Sequence, residues 1–173
     1  MQRKWLILPS TLLILAVINL GIWKNEKLIE QGETVLLELA PVDPRSLMQG
    51  DYMALRFAMA DTISAQFADT DTAINGQVIV ELDQQRRAKF VGMDQQQELE
   101  DGQLRLQFRL RHGQVKFATN AFFFQEGTGE IYEPAKYGLF RVSQDGDLLL
   151  THLVDEQLQT LGQAKALQPA DYP

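Results

Sequence analysis

The length, composition and charge of this chain already exclude several classes of protein. Its 173 residues carry a formal net charge of −7 and include no cysteine. Without thiols the chain forms neither disulfides nor cysteine-based zinc sites, and an acidic chain lacks the basic surface that nucleic-acid binding requires. We therefore expect no nucleic-acid partner. About 140 residues follow an apolar first segment, enough for one domain with its own core.

The first segment is an apolar run at residues 5–23, WLILPSTLLILAVINLGIW, which contains no charged side chain. As a helix it would extend roughly 28 Å, close to the hydrocarbon thickness of a bilayer. Trp5 and Trp23 stand at its two ends, where amphipathic rings prefer the headgroup region. The run predicts a transmembrane helix that binds the lipid bilayer through residues 5–23. A cleaved signal peptide and a buried core helix are the alternatives, although no small-residue cleavage site follows the run.

Basic residues flank the apolar run on both sides. Arg3 and Lys4 precede it, whereas Lys24 and Lys27 follow it together with nearby glutamates. By the positive-inside rule, this small bias favours a cytoplasmic N-terminus. We expect a single-pass protein of the inner (cytoplasmic) membrane whose domain lies in the periplasm, outside the cytoplasm.

Beyond the apolar run, the predicted helix continues to Gln31 and ends at Gly32, a residue type that often terminates helices. Period-2 alternation, apolar runs and turn residues then predict a series of strands. They are residues 35–39, 52–59, 77–83, 88–93, 104–111, 114–117, 121–124, 139–143 and 148–154. The strand at 121–124 is apolar on both faces, which predicts a central position in its sheet. Residues 60–69 are a short helix or a loop, and residues 125–138 break the strand pattern.

These elements predict a mainly β domain, an antiparallel sandwich or distorted barrel, with one N-terminal transmembrane helix and one or two short helices. The prediction divides the chain into three parts. Residues 1–32 form the anchor and a juxtamembrane helix, residues 33–162 form the mainly β extracytoplasmic domain, and residues 163–173 form a flexible tail.

A first dense stretch of special residues lies at 41–57, PVDPRSLMQGDYMALRF. Its prolines fix the backbone, its glycine permits a tight turn, and its aspartate can accept hydrogen bonds from backbone amides. The simplest interpretation is a rigid strand–turn–strand corner. The sharper one is a recognition surface. Its candidate interaction residues are Arg45, Gly50, Asp51, Tyr52 and Arg56.

A second dense stretch lies at 125–133, QEGTGEIYE. Its glutamates suit the start of a short helix, because acidic side chains there complement the helix dipole. The alternatives are a paired-carboxylate site for acid–base chemistry or a divalent cation, and a loop that binds a small ligand. The candidate ligand residues are Glu126, Glu130, Tyr132 and Tyr137.

Three motifs together resemble the GDYXXLXY family of membrane-anchored bacterial proteins. They are GDYMALRF at 50–57, in which Phe57 replaces the final tyrosine, the preceding VDPRSLMQ at 42–49, and FFFQEGTGEIYEPAKYGLFRV at 122–142. The resemblance implies one N-terminal span and a mainly β extracytoplasmic domain. It also implies an accessory protein encoded beside, or fused to, a multi-pass membrane protein. It carries no catalytic activity over to this chain.

Other residues with catalytic chemistry have less support in the sequence. A Ser–Lys dyad of Ser46 and Lys89 would resemble type I signal peptidases, but the residues after Ser46 lack that family's Ser-Met-x-Pro pattern. The two histidines, His112 and His152, are isolated in the sequence and do not suggest zinc.

A row of arginines alternates with apolar residues along the predicted strand at 104–111. Arg105, Arg109 and Arg111 share one face, which is either solvated or docks on an acidic partner or anionic headgroups. Because like charges repel, we expect a counter-charge near this row.

We predict a non-enzymatic accessory or sensor domain that docks on a membrane protein partner, with no catalytic residue, cofactor or metal site assigned. The alternatives are a small-ligand-binding envelope domain and, with less support, a membrane-tethered Ser/Lys hydrolase. The docking hypothesis predicts an exposed apolar patch that includes Tyr52 or the aromatic run. The ligand hypothesis predicts a concave pocket with converging carboxylates.

Overall fold

A computed structural model describes residues 4–41, 48–49, 52–67 and 72–162. The N-terminal helix α1 (Lys4–Gln31) ends where the sequence predicts, because the backbone N–H of Gly32 donates to the carbonyl of Leu28 at 2.9 Å. A Cβ at Gly32 would lie 2.4 Å from that carbonyl oxygen. Glycine therefore allows the chain to leave the helix and enter the first strand.

Within the described ranges, ten strands and two further helices follow α1. The strands are β1 (Glu33–Glu38), β2 (Met48–Gln49), β3 (Tyr52–Ala54), β4 (Ile74–Leu82), β5 (Ala88–Met93), β6 (Gln103–Arg111), β7 (Gln114–Lys116), β8 (Ala121–Phe123), β9 (Tyr137–Val142) and β10 (Leu148–Val154). The helices are α2 (Ala58–Ala65) and a 3-10 turn (Gly129–Tyr132).

The strands form three antiparallel sheets, so the prediction of a mainly β, antiparallel fold is confirmed. Their strand orders are β1-β9-β10, β2-β3-β8 and β5-β4-β6-β7. The period-2 pattern of β6 is also confirmed, since Leu106, Phe108 and Leu110 are buried. Each alternates with a residue that faces away from the core.

One hydrophobic core joins the three sheets to α2. Phe57 lies at its centre and makes edge-on contacts with Phe117 and Phe140, at centroid distances of 6.0 and 5.5 Å. Buried residues at Ala60 and Ile63 of α2 pack into the same cluster. Aromatic side chains of this size supply much of the apolar area that a small domain buries.

The predicted strand at residues 52–59 is wrong in its second half. β3 ends at Ala54, and α2 begins at Ala58. Phe57, Ala60 and Ile63 are buried at a spacing of three residues, which follows the period of a helix and not that of a strand.

The predicted central position of the aromatic strand is also wrong. In the described sheet, β8 pairs with β3 and forms an edge. Apolar residues on both faces indicate a central strand only when both faces are covered. Here the outer face carries Phe123, a residue that is 71% exposed.

The predicted transmembrane helix finds no support in the structure: no helix among the described residues is both long and apolar enough to cross a membrane. The described apolar side chains of α1 up to Trp23 nevertheless lie outside the core. The strongly exposed apolar residues of α1 are Leu12, Leu13, Ile14, Leu15, Val17, Ile18, Leu20, Ile22, Trp23 and Ile29. Leu28, near the end of α1, is buried.

The turn between β9 and β10 connects the sheets to one another and to α1. The carbonyl of Gly146 accepts a hydrogen bond from the backbone of Gln107 at 2.9 Å, and the carbonyl of Asp145 accepts one from the Gln77 side chain at 2.8 Å. The Asp147 carboxylate accepts a hydrogen bond from Lys24 of α1 at 2.7 Å. This turn therefore lies between the outer face of the four-stranded sheet and the end of α1.

Candidate functional site

Two of the five predicted interaction residues lie in the described part of the chain. Arg45, Gly50 and Asp51 lie outside the described residues. Tyr52 opens β3, and Arg56 lies in the short connection between β3 and α2. The contacts of Tyr52 and Arg56 are therefore the part of the predicted interaction surface that the structure describes.

Strand pairing brings Tyr52 to the aromatic run that the sequence places about seventy residues further along the chain. The register of β3 and β8 sets Tyr52 opposite Phe123. The two ring centroids are 5.8 Å apart and the ring planes are tilted by 43°. We call these two side chains the aromatic surface.

The neighbours of Tyr52 and Phe123 along their own strands face inward. Met53 is opposite Phe122 in the register and is buried in the core. Phe122 and Phe124 both pack against Tyr132, at centroid distances of 5.1 and 5.2 Å. The inner side of the β3–β8 pair is thus packed, and the aromatic surface lies on its outer side.

Arg56 has a local partner. Its guanidinium donates two hydrogen bonds to one carboxylate oxygen of Asp61, at 3.1 and 2.9 Å. Both side chains are more than half exposed, so the pair contributes little to stability. Asp61 lies in the first turn of α2, where its charge complements the helix dipole.

The structure does not gather the predicted ligand residues into one site. Glu126 and Glu130 are exposed. Tyr132 packs on the main core, whereas Tyr137 is buried in a second small cluster with Leu36 and Val154. Among the described residues, no group of three acidic, histidine or cysteine side chains is arranged to hold a metal ion.

Tyr137 belongs instead to a network around Arg87. Hydrogen bonds to the side chain of Asp83, which has the larger effect, and to that of Tyr137 raise the pKa of Arg87 above its ordinary value. The Arg87 Nε to Asp83 Oδ2 distance is 2.7 Å. Tyr137 therefore lies beside the β4–β5 hairpin, where its side chain has a structural role.

Among the described residues, no arrangement of side chains supports the hydrolase hypothesis. Ser46 lies outside the described residues, and Lys89 is an exposed residue of β5 opposite Glu81. His112 is exposed in the turn between β6 and β7, and His152 lies on β10.

The arginine row on β6 is engaged with its surroundings. Arg105 pairs with Asp94 at 3.0 Å, which confirms the expected counter-charge. Arg109 donates to the carbonyl of Ala118 at 2.9 Å, and Arg111 donates to Asn75 Oδ1 at 2.7 Å.

A comparison with protein families gives one match: the family model described as GDYXXLXY protein matches residues 14–153. The chain belongs to the GDYXXLXY family. The match includes part of α1 and extends into β10. No curated protein and no solved structure gives a match.

The described part of the GDYXXLXY motif divides between surface and core. Tyr52 forms the aromatic surface, while Leu55 and Phe57 are buried. Phe57, which stands in place of the final tyrosine, is 2% exposed and contacts other phenylalanines. This position therefore serves the core, and Tyr52 is the aromatic residue of the motif that lies at the surface.

Sequence reasoning did not identify Phe123 as a site residue. A period-2 reading of Ala121, Phe122 and Phe123 against Tyr52, Met53 and Ala54 contains the signal, since one aromatic of each strand must face outward. Recognising it requires the strand pairing, which is a long-range contact.

Proposed function

We propose that this protein is a membrane-associated accessory or sensor domain that docks on a multi-pass membrane protein through the aromatic surface. No catalytic activity is part of the proposal. The observation that carries it is the 71% exposure of Phe123 beside Tyr52, on a strand pair whose inner side is packed. Exposed aromatic side chains on a rigid support are typical anchors of protein interfaces.

The apolar residues of α1 support the choice of partner. Their side chains are exposed all around the helix rather than along one face, and we propose that they lie in lipid. The domain would then share two dimensions with its partner, which raises the effective concentration and lets a small interface suffice. A partner that resides in the same membrane fits this arrangement.

We propose the periplasmic side of the inner membrane as the location of the domain. The support is the positive charge of Arg3 and Lys4 before the apolar run, whereas Glu26 and Glu30 offset Lys24 and Lys27 after it. This location is independent of the aromatic surface, and a fusion of reporter enzymes to the C-terminus tests it separately.

The docking proposal is tested by recovering the full-length protein from native membranes in mild detergent. We expect a membrane protein to accompany the wild-type chain in stoichiometric amount. Phe123→Ala should reduce this recovery by at least about tenfold, because an aromatic anchor typically contributes that much to affinity.

Val91→Ala is the matched control. Val91 is also an apolar residue on an edge strand, β5, and it is 51% exposed. We expect it to leave the recovery unchanged. Equal recovery with the wild type and with Phe123→Ala, or no stoichiometric partner with either, would contradict the proposal.

A further inference from the structure

A cavity of about 710 Å³ lies between the end of α1, the outer face of the four-stranded sheet and the start of β10. Its volume is in the range of small-molecule sites. Its polar lining is rich in side-chain amides. They are Asn25, Asn75, Gln77, Gln96 and Gln107.

Three cations and two carboxylates also line this cavity, and both carboxylates already have partners. Asp147 pairs with Lys24 at 2.7 Å. Asp94 pairs with Arg105, which lies beside the cavity, at 3.0 Å. The other two cations that line the cavity are Arg109 and Lys116, and neither takes part in these two pairs.

Strand register places those two cations directly opposite each other. Arg109 of β6 faces Lys116 of β7, and Asn75 of β4 faces Arg109 from the other side. The three residues therefore form one row across three strands on the cavity side of the sheet. Within the described residues, neither Arg109 nor Lys116 forms an ion pair.

Like charges directly opposite each other on neighbouring strands destabilise a sheet. In a chain of net charge −7, solubility does not require this pair. An anion in the cavity would remove the repulsion and accept hydrogen bonds from both side chains. A guanidinium offers a planar pair of donors that suits phosphate oxygens, and an ammonium adds a compact charge.

We propose that this cavity binds the phosphate group of an organic phosphate, held by Arg109 and Lys116. The amide side chains around them suit hydroxyl groups on the organic part of the ligand. The phosphate belongs to a soluble ester or to a lipid headgroup. The site stands on its own cavity and does not depend on the aromatic surface or on docking.

The test titrates the full-length, 15N-labelled protein with two probes. In micelles of a neutral maltoside detergent, the probe is glycerol 1-phosphate. In nanodiscs, phosphatidylglycerol is compared with phosphatidylcholine. We expect saturable shifts of the NMR signals of Asn75, Arg109 and Lys116 with at least one of the two anionic probes.

The double variant Arg109→Gln with Lys116→Gln should weaken that binding by at least about tenfold, as expected for lost hydrogen bonds to a charged group. Lys89→Gln is the matched control, since it removes a positive charge from an exposed position on another strand of the same sheet. It should leave the affinity unchanged. The dispersion of strand amide signals reports whether each variant is folded.

Each outcome decides the proposal. Shifts with glycerol 1-phosphate support a soluble ester, and shifts confined to phosphatidylglycerol nanodiscs support a lipid headgroup. The absence of saturable shifts with both probes would overturn the proposal. So would binding that a folded double variant retains, or binding that Lys89→Gln weakens equally, because the latter indicates attraction to overall charge.

Discussion

Phe57 and Phe123 are chemically identical side chains in opposite environments. Phe57 is 2% exposed at the centre of the core, and Phe123 is 71% exposed on the aromatic surface. We expect Phe57→Ala to lower the free energy of unfolding by roughly 3–5 kcal/mol, through lost burial and the cavity it leaves. Phe123→Ala should change it by less than about 1 kcal/mol.

Denaturation of the full-length protein by urea, followed by near-ultraviolet circular dichroism, measures both values. Losses of similar size in the two variants would show that Phe123 stabilises the fold. The aromatic surface would then be a structural feature.

Asp83 makes stability depend on pH at the turn between β4 and β5. A hydrogen bond from the backbone N–H of Arg87 lowers the pKa of the Asp83 carboxyl, and burial opposes this effect. Hydrogen bonds from the Arg87 side chain and the Gln85 backbone N–H lower the same pKa further. A pKa below the unfolded value of about 3.9 stabilises the folded state above that pH, and the contribution is lost as the pH falls through the folded pKa.

Asp83→Asn should therefore destabilise the protein at neutral pH and flatten the loss of stability in acid. Asp101→Asn, at an exposed position in another turn, is the control. Thermal unfolding between pH 3 and pH 7 measures the effect. An unchanged acid limb in Asp83→Asn would mean that other carboxyl groups carry the dependence.

At the scale of elements, the β9–β10 turn depends on Gly146. This residue has a φ of +82°, and a Cβ would lie 2.9 Å from the carbonyl oxygen of Arg105 on β6. Gly102 has a φ of +84° but no atom within 4 Å of an added Cβ. The two positions share the cost of positive φ and differ in the space that surrounds them.

Gly102→Ala should lower stability by roughly 1–2 kcal/mol, the cost of the left-handed conformation. Gly146→Ala should lower it by clearly more, because the turn must also move away from β6. Equal losses in chemical denaturation would show that the turn is not held against the sheet as tightly as its hydrogen bonds indicate.

The range of the contacts that an element makes decides whether the sequence predicts it. The bounds of β5 and the alternating faces of β6 follow from neighbouring residues, and both predictions are confirmed. The partnership of Tyr52 with Phe123 and the row from Asn75 to Lys116 depend on register between distant strands. Local periodicity contains no information on which strands become neighbours.

At the scale of the whole molecule, the exposed apolar residues of α1 need an apolar environment in the proposed account. Leu13→Asp with Leu20→Asp places two charges among them, and both positions are more than 60% exposed. We expect at least tenfold less protein bound to lipid vesicles in flotation, since charges in lipid are costly, by about 3 kcal/mol each.

Ile29→Asp is the control for that experiment. Ile29 is also exposed on α1, but it follows Lys24 and Lys27, beyond the apolar run. It should float as the wild type does. Undiminished flotation of the double variant would contradict the proposal that α1 lies in lipid.

The central claim is that the aromatic surface contacts a membrane protein, and crosslinking inside intact cells tests it most directly. A photoreactive benzoylphenylalanine is placed at position 123, or at position 91 as the control, in the full-length protein. We predict that illumination gives one discrete adduct with a multi-pass membrane protein from position 123 and none from position 91. No adduct from position 123, or the same adducts from both positions, would contradict the account.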